Sequence, residues 1–80
     1  MKSPIEVLAL WDQEAEVWTA TSDQVPGLAI EAETIEDLVR RLKVVIPELL
    51  ELNQLALEDE EIVFHLRGER SEALRLRRHG

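Results

Sequence analysis

The sequence predicts an α+β domain in the order β-β-β-α-β, a single sheet with one helix packed on one face. Three observations carry that expectation. Apolar and polar residues alternate over residues 5–12, 16–21 and 28–33, the period of half-buried strands. From Ile35 the spacing changes to threes and fours, the period of an amphipathic helix. Alternation then resumes at Ile62, Phe64 and Leu66. With 80 residues the chain is one domain, read as residues 1–67 followed by a basic tail over 68–80.

In the first strand Ile5, Val7, Ala9 and Trp11 share one face, with Glu6, Leu8, Leu10 and Asp12 on the other. Leu8 and Leu10 make it apolar on both sides, as suits a central strand whose second face is covered by more of the chain or by another subunit. Asp12-Gln13-Glu14-Ala15 has hairpin length. Glu16 to Thr21 is rich in β-branched and aromatic residues and forms the second strand, Trp18 and Ala20 sharing a face. Ser22-Asp23-Gln24 leads to Val25-Pro26-Gly27-Leu28, a turn in which Pro presets φ and Gly tolerates φ > 0. Leu28, Ile30 and Ala32 belong to the third strand, and the first three strands read as an antiparallel meander.

Thr34 with Asp37 has the spacing of a capping box. The helix stripe is Ile35, Leu38, Val39, Leu42, Val45, Ile46, Leu49 and Leu50. Glu36 with Arg40 and Asp37 with Arg41 stand at i,i+4. Pro47 forces a kink or a break; the stripe stays in phase through Leu49, which favours the kink. Asn53 is a C-terminal stop. Leu55 to Glu61 is loop. A right-handed crossover makes the fourth strand parallel to the third and the first. Leu74 to Arg78 alternates like a strand, while Ser71 to Leu74 could equally begin a helix.

Charge is unevenly placed. Residues 1–66 hold 4 Lys/Arg against 15 Asp/Glu, a net −11, and residues 67–80 hold 5 Arg against 2 Glu, a net +3. An acidic body repels phosphate backbones and suits a basic partner protein. There is no cysteine, hence no disulfide or thiolate metal site; so short a chain then leans on good packing or oligomerisation. No apolar run reaches the length of a membrane span and no signal-peptide core follows Met1, so the expected compartment is the cytoplasm.

Reactive chemistry is sparse. Glu58-Asp59-Glu60-Glu61 lacks the alternation and glycine of a calcium loop and reads as a solvated charge run. His65 and His79 have no ligand-spaced companions. The three serines lack a nucleophile-elbow context, and the three glycines form no phosphate loop. Asp12 and Asp23, the acids a metal-dependent nuclease would use, fall in loops without a third. Trp11 and Trp18 could stack on bases, but without a basic groove they read as core or subunit-contact residues. No enzyme, metal or cofactor is expected.

Taken together, Ala9-Leu10-Trp11-Asp12, Val17-Trp18-Thr19-Ala20, the turn from Ser22 to Leu28, the segment from Glu31 to Leu38 and Ile46-Pro47-Glu48-Leu49-Leu50 resemble the HicB-like antitoxin superfamily, in particular its small stand-alone members of unknown function. The Asp-x-Val-Pro-Gly-Leu turn running to a Thr-x-Glu-Asp helix start is the most specific piece. The resemblance implies a partial ribonuclease-H-like fold, a non-catalytic role, and a Pro47 that is a family feature. It also implies a small basic ribonuclease toxin of double-stranded-RNA-binding fold as partner. Full antitoxins bind their promoter through an added helix-turn-helix or ribbon-helix-helix; the 14 residues after Leu66 are too few for either, so DNA binding is not expected.

The function expected is a non-enzymatic, homo-oligomeric protein-binding module that covers a basic ribonuclease toxin. Leu8, Leu10 and Trp11 are the expected self-contact, and Glu31, Glu33, Glu58, Asp59 and Glu60 the expected partner surface. The alternative is a stand-alone oligomeric scaffold or regulatory domain with no toxin partner.

Overall fold

A computed structural model of the chain describes residues 4–55 and 61–78. Five elements follow in the expected order: β1 (Ile5–Asp12), β2 (Val17–Thr21), β3 (Ala29–Ala32), α1 (Ile35–Leu52) and β4 (Phe64–Glu69). They build a mixed four-stranded open sheet in the order β3-β2-β1-β4. β1 pairs antiparallel with β2, β2 antiparallel with β3, and β4 returns parallel to β1. The doubly apolar strand β1 therefore lies inside the sheet, and β3 and β4 are its edges.

Cross-strand register sorts the side chains. Ala9 faces Ala20, Trp11 faces Trp18, Ala20 faces Ile30, and Val7 faces Leu66, so all of these share the helix side. Val7, Ala9, Ala20 and Ala32 are buried there against Leu38, Leu42, Ile46 and Leu50 of α1. Those four helix positions recur every fourth residue, which keeps them on one stripe. At about 2 kcal/mol for each fully buried leucine or isoleucine, this stripe is the main apolar contribution of the helix.

The ends of α1 are fixed by side chains. Thr34 is the N-cap, its Oγ1 accepting from the Asp37 amide at 3.1 Å. At the other end the Asn53 side chain donates to the Leu49 carbonyl at 2.8 Å and to the Pro26 carbonyl at 3.4 Å. The turn beneath is closed by Leu28 N–H donating to the Val25 carbonyl at 3.1 Å, with Gly27 at φ +86°, a value that glycine adopts without penalty. Val25 and Leu28 are buried, so the turn plugs one end of the core and Asn53 ties the helix to it. Pro47 lies inside one continuous helix and does not break it.

Several boundaries differ from the sequence reading. Glu16 is not a strand residue: at φ +57° it completes the β1–β2 turn, its N–H donating to the Asp12 carbonyl at 2.8 Å. Asp12 Oδ1 accepts from the amides of Glu14 and Ala15, which holds the turn in place of an Asn-Gly pair. Arg40 pairs with Asp37 rather than Glu36, because a residue three back on a helix is as near as one four back. β3 begins one residue late, at Ala29. β4 starts at Phe64 and runs through Gly68 and Glu69, so the sheet takes in the first two residues assigned to the tail. Gly68 has room for Trp18 and Ile35 above it: a Cβ there would stand 3.5 Å from the Trp18 ring.

From Arg70 to Arg78 the chain is neither helix nor strand. Arg70 to Arg78 is exposed throughout. Nine outstretched residues span about 30 Å, which accounts for principal extents of 67 × 26 × 19 Å.

Candidate protein-binding surfaces

The helix covers one side of the sheet, and the other side has no cover among the described residues. Rows of this open face follow from the register. One runs Glu69, Leu10, Thr19, Glu31, and the next Arg67, Leu8, Thr21, Ala29. Beyond them Glu6 lies beside His65, the carboxylate 3.1 Å from the imidazole Nδ1. Leu8 is half-buried by its neighbours, while Leu10 is 47 % exposed, a large apolar group on a sheet with polar flanks. Glu31 ends the Leu10 row at the β3 edge, and Glu33 continues the alternation just past that strand.

Leu8 and Leu10 thus stand together, as the sequence suggests. Trp11 does not join them. It lies on the helix side, its ring 5.4 Å from that of Trp18 at 61°. The Arg70 guanidinium sits 4.0 Å above it, a cation–π contact that covers the indole. Arg70 Nε donates to Glu72 at 2.5 Å, and Glu72 also accepts from Gln13 at 2.9 Å. The bond from Arg70 holds the Glu72 carboxyl below its usual range. These contacts form a clip that fastens the root of the tail to the β1–β2 turn. Glu58, Asp59 and Glu60 lie outside the described residues.

A second unmet surface is the free edge of β3. Its outward backbone groups make no hydrogen bond among the described residues. Beside it, on the helix side, Ile30, Val44 and Val45 line a shallow apolar groove with Arg40 and Arg41 on its rim. Val44 is 61 % exposed. The groove was not legible in the sequence, because Val44 falls beside the apolar stripe of α1 rather than on it.

Among the described residues no three His, Asp or Glu side chains converge as a metal site would require. The Glu6–His65 pair is exposed to solvent on the open face, a single surface contact. No helix among the described residues is long and apolar enough to cross a membrane.

The architecture defines a class: a small α+β domain with one sheet face covered by a helix, the other open among the described residues, and an exposed C-terminal arm. The chain belongs to the DUF1902 family, a domain of unknown function whose family model matches residues 5–77, arm included. It is also similar to the crystal structure of hypothetical protein TTHA1013 from the extremely thermophilic bacterium Thermus thermophilus. The two share 50% sequence identity at a TM-score of 0.69, over 92% of this chain and 100% of that one. No curated protein matches the chain.

Proposed function

We propose that this protein is a non-enzymatic protein-binding module of the HicB antitoxin type, which assembles with itself through Leu8 and Leu10 and engages a small basic ribonuclease through its acidic surface. The observation that supports this reading is the uncovered sheet face, where two leucines of the central strand stand in a polar field that ends in Glu31 at the free edge. A basic partner that meets Glu31 and Glu33 at the edge of that face approaches an acid-rich body that steers it in and repels nucleic acid. Inhibition then comes from covering the ribonuclease's RNA-binding surface, with no chemistry on this chain. Glu31 and Glu33 are the acids assigned to the partner, together with Glu58, Asp59 and Glu60.

The test is co-expression with a small basic ribonuclease encoded beside this chain. The two proteins should co-purify, RNA cleavage should fall in the complex, and Glu31→Arg with Glu33→Arg should weaken the complex and restore cleavage. A complex indifferent to that charge reversal, or cleavage unaffected by this chain, overturns the reading. The competing reading, an oligomeric scaffold with no toxin, is favoured by the arm: a projecting segment that alternates leucine and arginine is an assembly device that needs no second protein.

A further inference from the structure

We infer that the arm from Arg70 to Arg78 is exchanged between two copies of this chain, adding as a fifth strand to the free β3 edge of the partner copy. This goes beyond the proposed function and does not depend on it.

The arm's own pattern asks for a sheet. Leu74 and Leu76 are each 85 % exposed and alternate with Arg75 and Arg77, so an extended arm has one apolar and one basic face. Two large leucines held in water on a projecting segment are an unmet apolar surface, and a strand edge is the surface that takes an extended segment by backbone pairing.

Two edges are free among the described residues, and charge chooses between them. The open face of β4 carries His65, Arg67 and Glu69, and Glu69 already has Arg67 beside it at 3.8 Å, so arginines added there find no acid without a basic neighbour. The open face at β3 presents Glu31, followed by Glu33, and its helix side presents the apolar groove of Ile30, Val44 and Val45. Strand alternation then satisfies both sides at once. Leu74 and Leu76 fall over the groove while Arg75 and Arg77 fall beside Glu31 and Glu33. In the register that sets both arginines beside acids, Leu74 to Arg77 run along residues 30–33, from β3 to just past its end.

The occupant is a second copy because the root of the arm is tied down. Arg70 on Trp11 and Glu72 on Gln13 fix the first three arm residues at the β1–β2 turn. From there the chain's own β3 lies across β1 and β2. Reaching it requires a reversal at once, and residues 70–76 contain no Gly, Pro, Asn or Asp to make one. A two-fold pair of chains needs no reversal: each arm runs outward onto the other's edge, and the exchange closes on itself.

The experiment uses the full chain. Val44→Cys and ¹⁵N-labelled Leu76→Cys are prepared separately, mixed and oxidised; the chain has no other cysteine, and both positions are exposed. Mass spectrometry should find heavy–light disulfide dimers. In solution, Leu74→Glu with Leu76→Glu should halve the assembly mass and weaken self-association by at least about 100-fold. Arg75→Glu with Arg77→Glu should do the same, and adding Glu31→Arg with Glu33→Arg to that chain should restore assembly. The inference is overturned by a wild-type chain that is monomeric at tens of micromolar. It is also overturned by an assembly indifferent to the arm changes, or by a Val44→Cys, Leu76→Cys double variant that closes only within one chain. An arm seated there competes with a basic ribonuclease for Glu31 and Glu33, but the heavy–light disulfide is read with no ribonuclease present, so its failure leaves the co-purification test of the proposed function standing.

Discussion

Pro47 offers a direct measure of how the helix accommodates its own breaker. A proline in a helix interior costs about 3 kcal/mol relative to alanine, because it removes one backbone bond and crowds the carbonyl four residues back. Here the helix continues from Ile35 to Leu52 through it, and Pro47 is exposed, so its ring contributes little packing. Pro47→Ala restores a donor for the Lys43 carbonyl. Part of the gain is lost because alanine leaves the unfolded chain freer, by up to about 1 kcal/mol. The net is a stabilisation of about 2 kcal/mol, which for a domain this size raises Tm by about 10 °C. Thermal unfolding by far-UV circular dichroism, at one fixed protein concentration because assembly shifts Tm, measures it. Glu48→Ala, at the next exposed position, should move stability by no more than about 0.5 kcal/mol and serves as control. A Pro47→Ala chain that is no more stable, or less, refutes the reasoning. The local backbone geometry set by Pro47 would then be what keeps Leu49 over Gly27 and Leu50 in the core.

Three smaller perturbations read other joints. Thr34→Ala removes the acceptor of the Asp37 amide and should destabilise by about 1 kcal/mol in urea unfolding. Glu16→Gly should stabilise by roughly 0.5–1 kcal/mol, since a non-glycine residue held at φ +57° stores about 1–2 kcal/mol and the freer unfolded glycine takes back up to about 1. Glu72, whose pKa is lowered by its bond from Arg70, favours the clipped root while ionised; that contribution is present above its ordinary pKa and is lost as pH falls through the depressed value. Acidification below the ordinary carboxylate range should therefore release Arg70 from Trp11 and change tryptophan fluorescence, and Glu72→Gln should show the released signal at neutral pH.

How much was legible in the sequence follows from what each signal depends on. Element order was legible because period and capping are local: Thr34, the Leu38–Leu42–Ile46–Leu50 stripe and the Pro26-Gly27 turn act within a few residues of themselves. The turn role of Glu16 was not, because αL geometry at a glutamate leaves no compositional trace; it is imposed by the carboxylate of Asp12 bonding forward to two amides. The faces of Leu8, Leu10 and Trp11 were legible, and what surrounds Trp11 was not. Alternation already puts Trp11 on the opposite face from Leu8 and Leu10, but only the register with Trp18 and the contact from Arg70 show what covers it. The groove at the β3 edge was invisible, since it exists only where α1 lies against Ile30, and nothing local marks Val44 as its wall.

The two unmet surfaces differ in kind, and that difference makes the assembly itself a prediction. The β3 edge offers unpaired backbone and a narrow groove, so it takes a strand; the open face offers Leu8 and Leu10 on a broad sheet, so it takes another flat surface. On the two proposals each contact is self-complementary, which gives two distinct two-fold axes. Where those axes cross at right angles, the two contacts close a tetramer of D2 symmetry. Mass measurement should then find a tetramer for the wild type, a dimer for Leu74→Glu with Leu76→Glu, a dimer for Leu8→Glu with Leu10→Glu, and a monomer when all four are changed. A tetramer that either pair alone reduces to monomers means the two contacts share one interface. A wild-type dimer that survives the changes at Leu8 and Leu10 leaves the open face free, and the sheet's second surface is then the place to look for the basic partner.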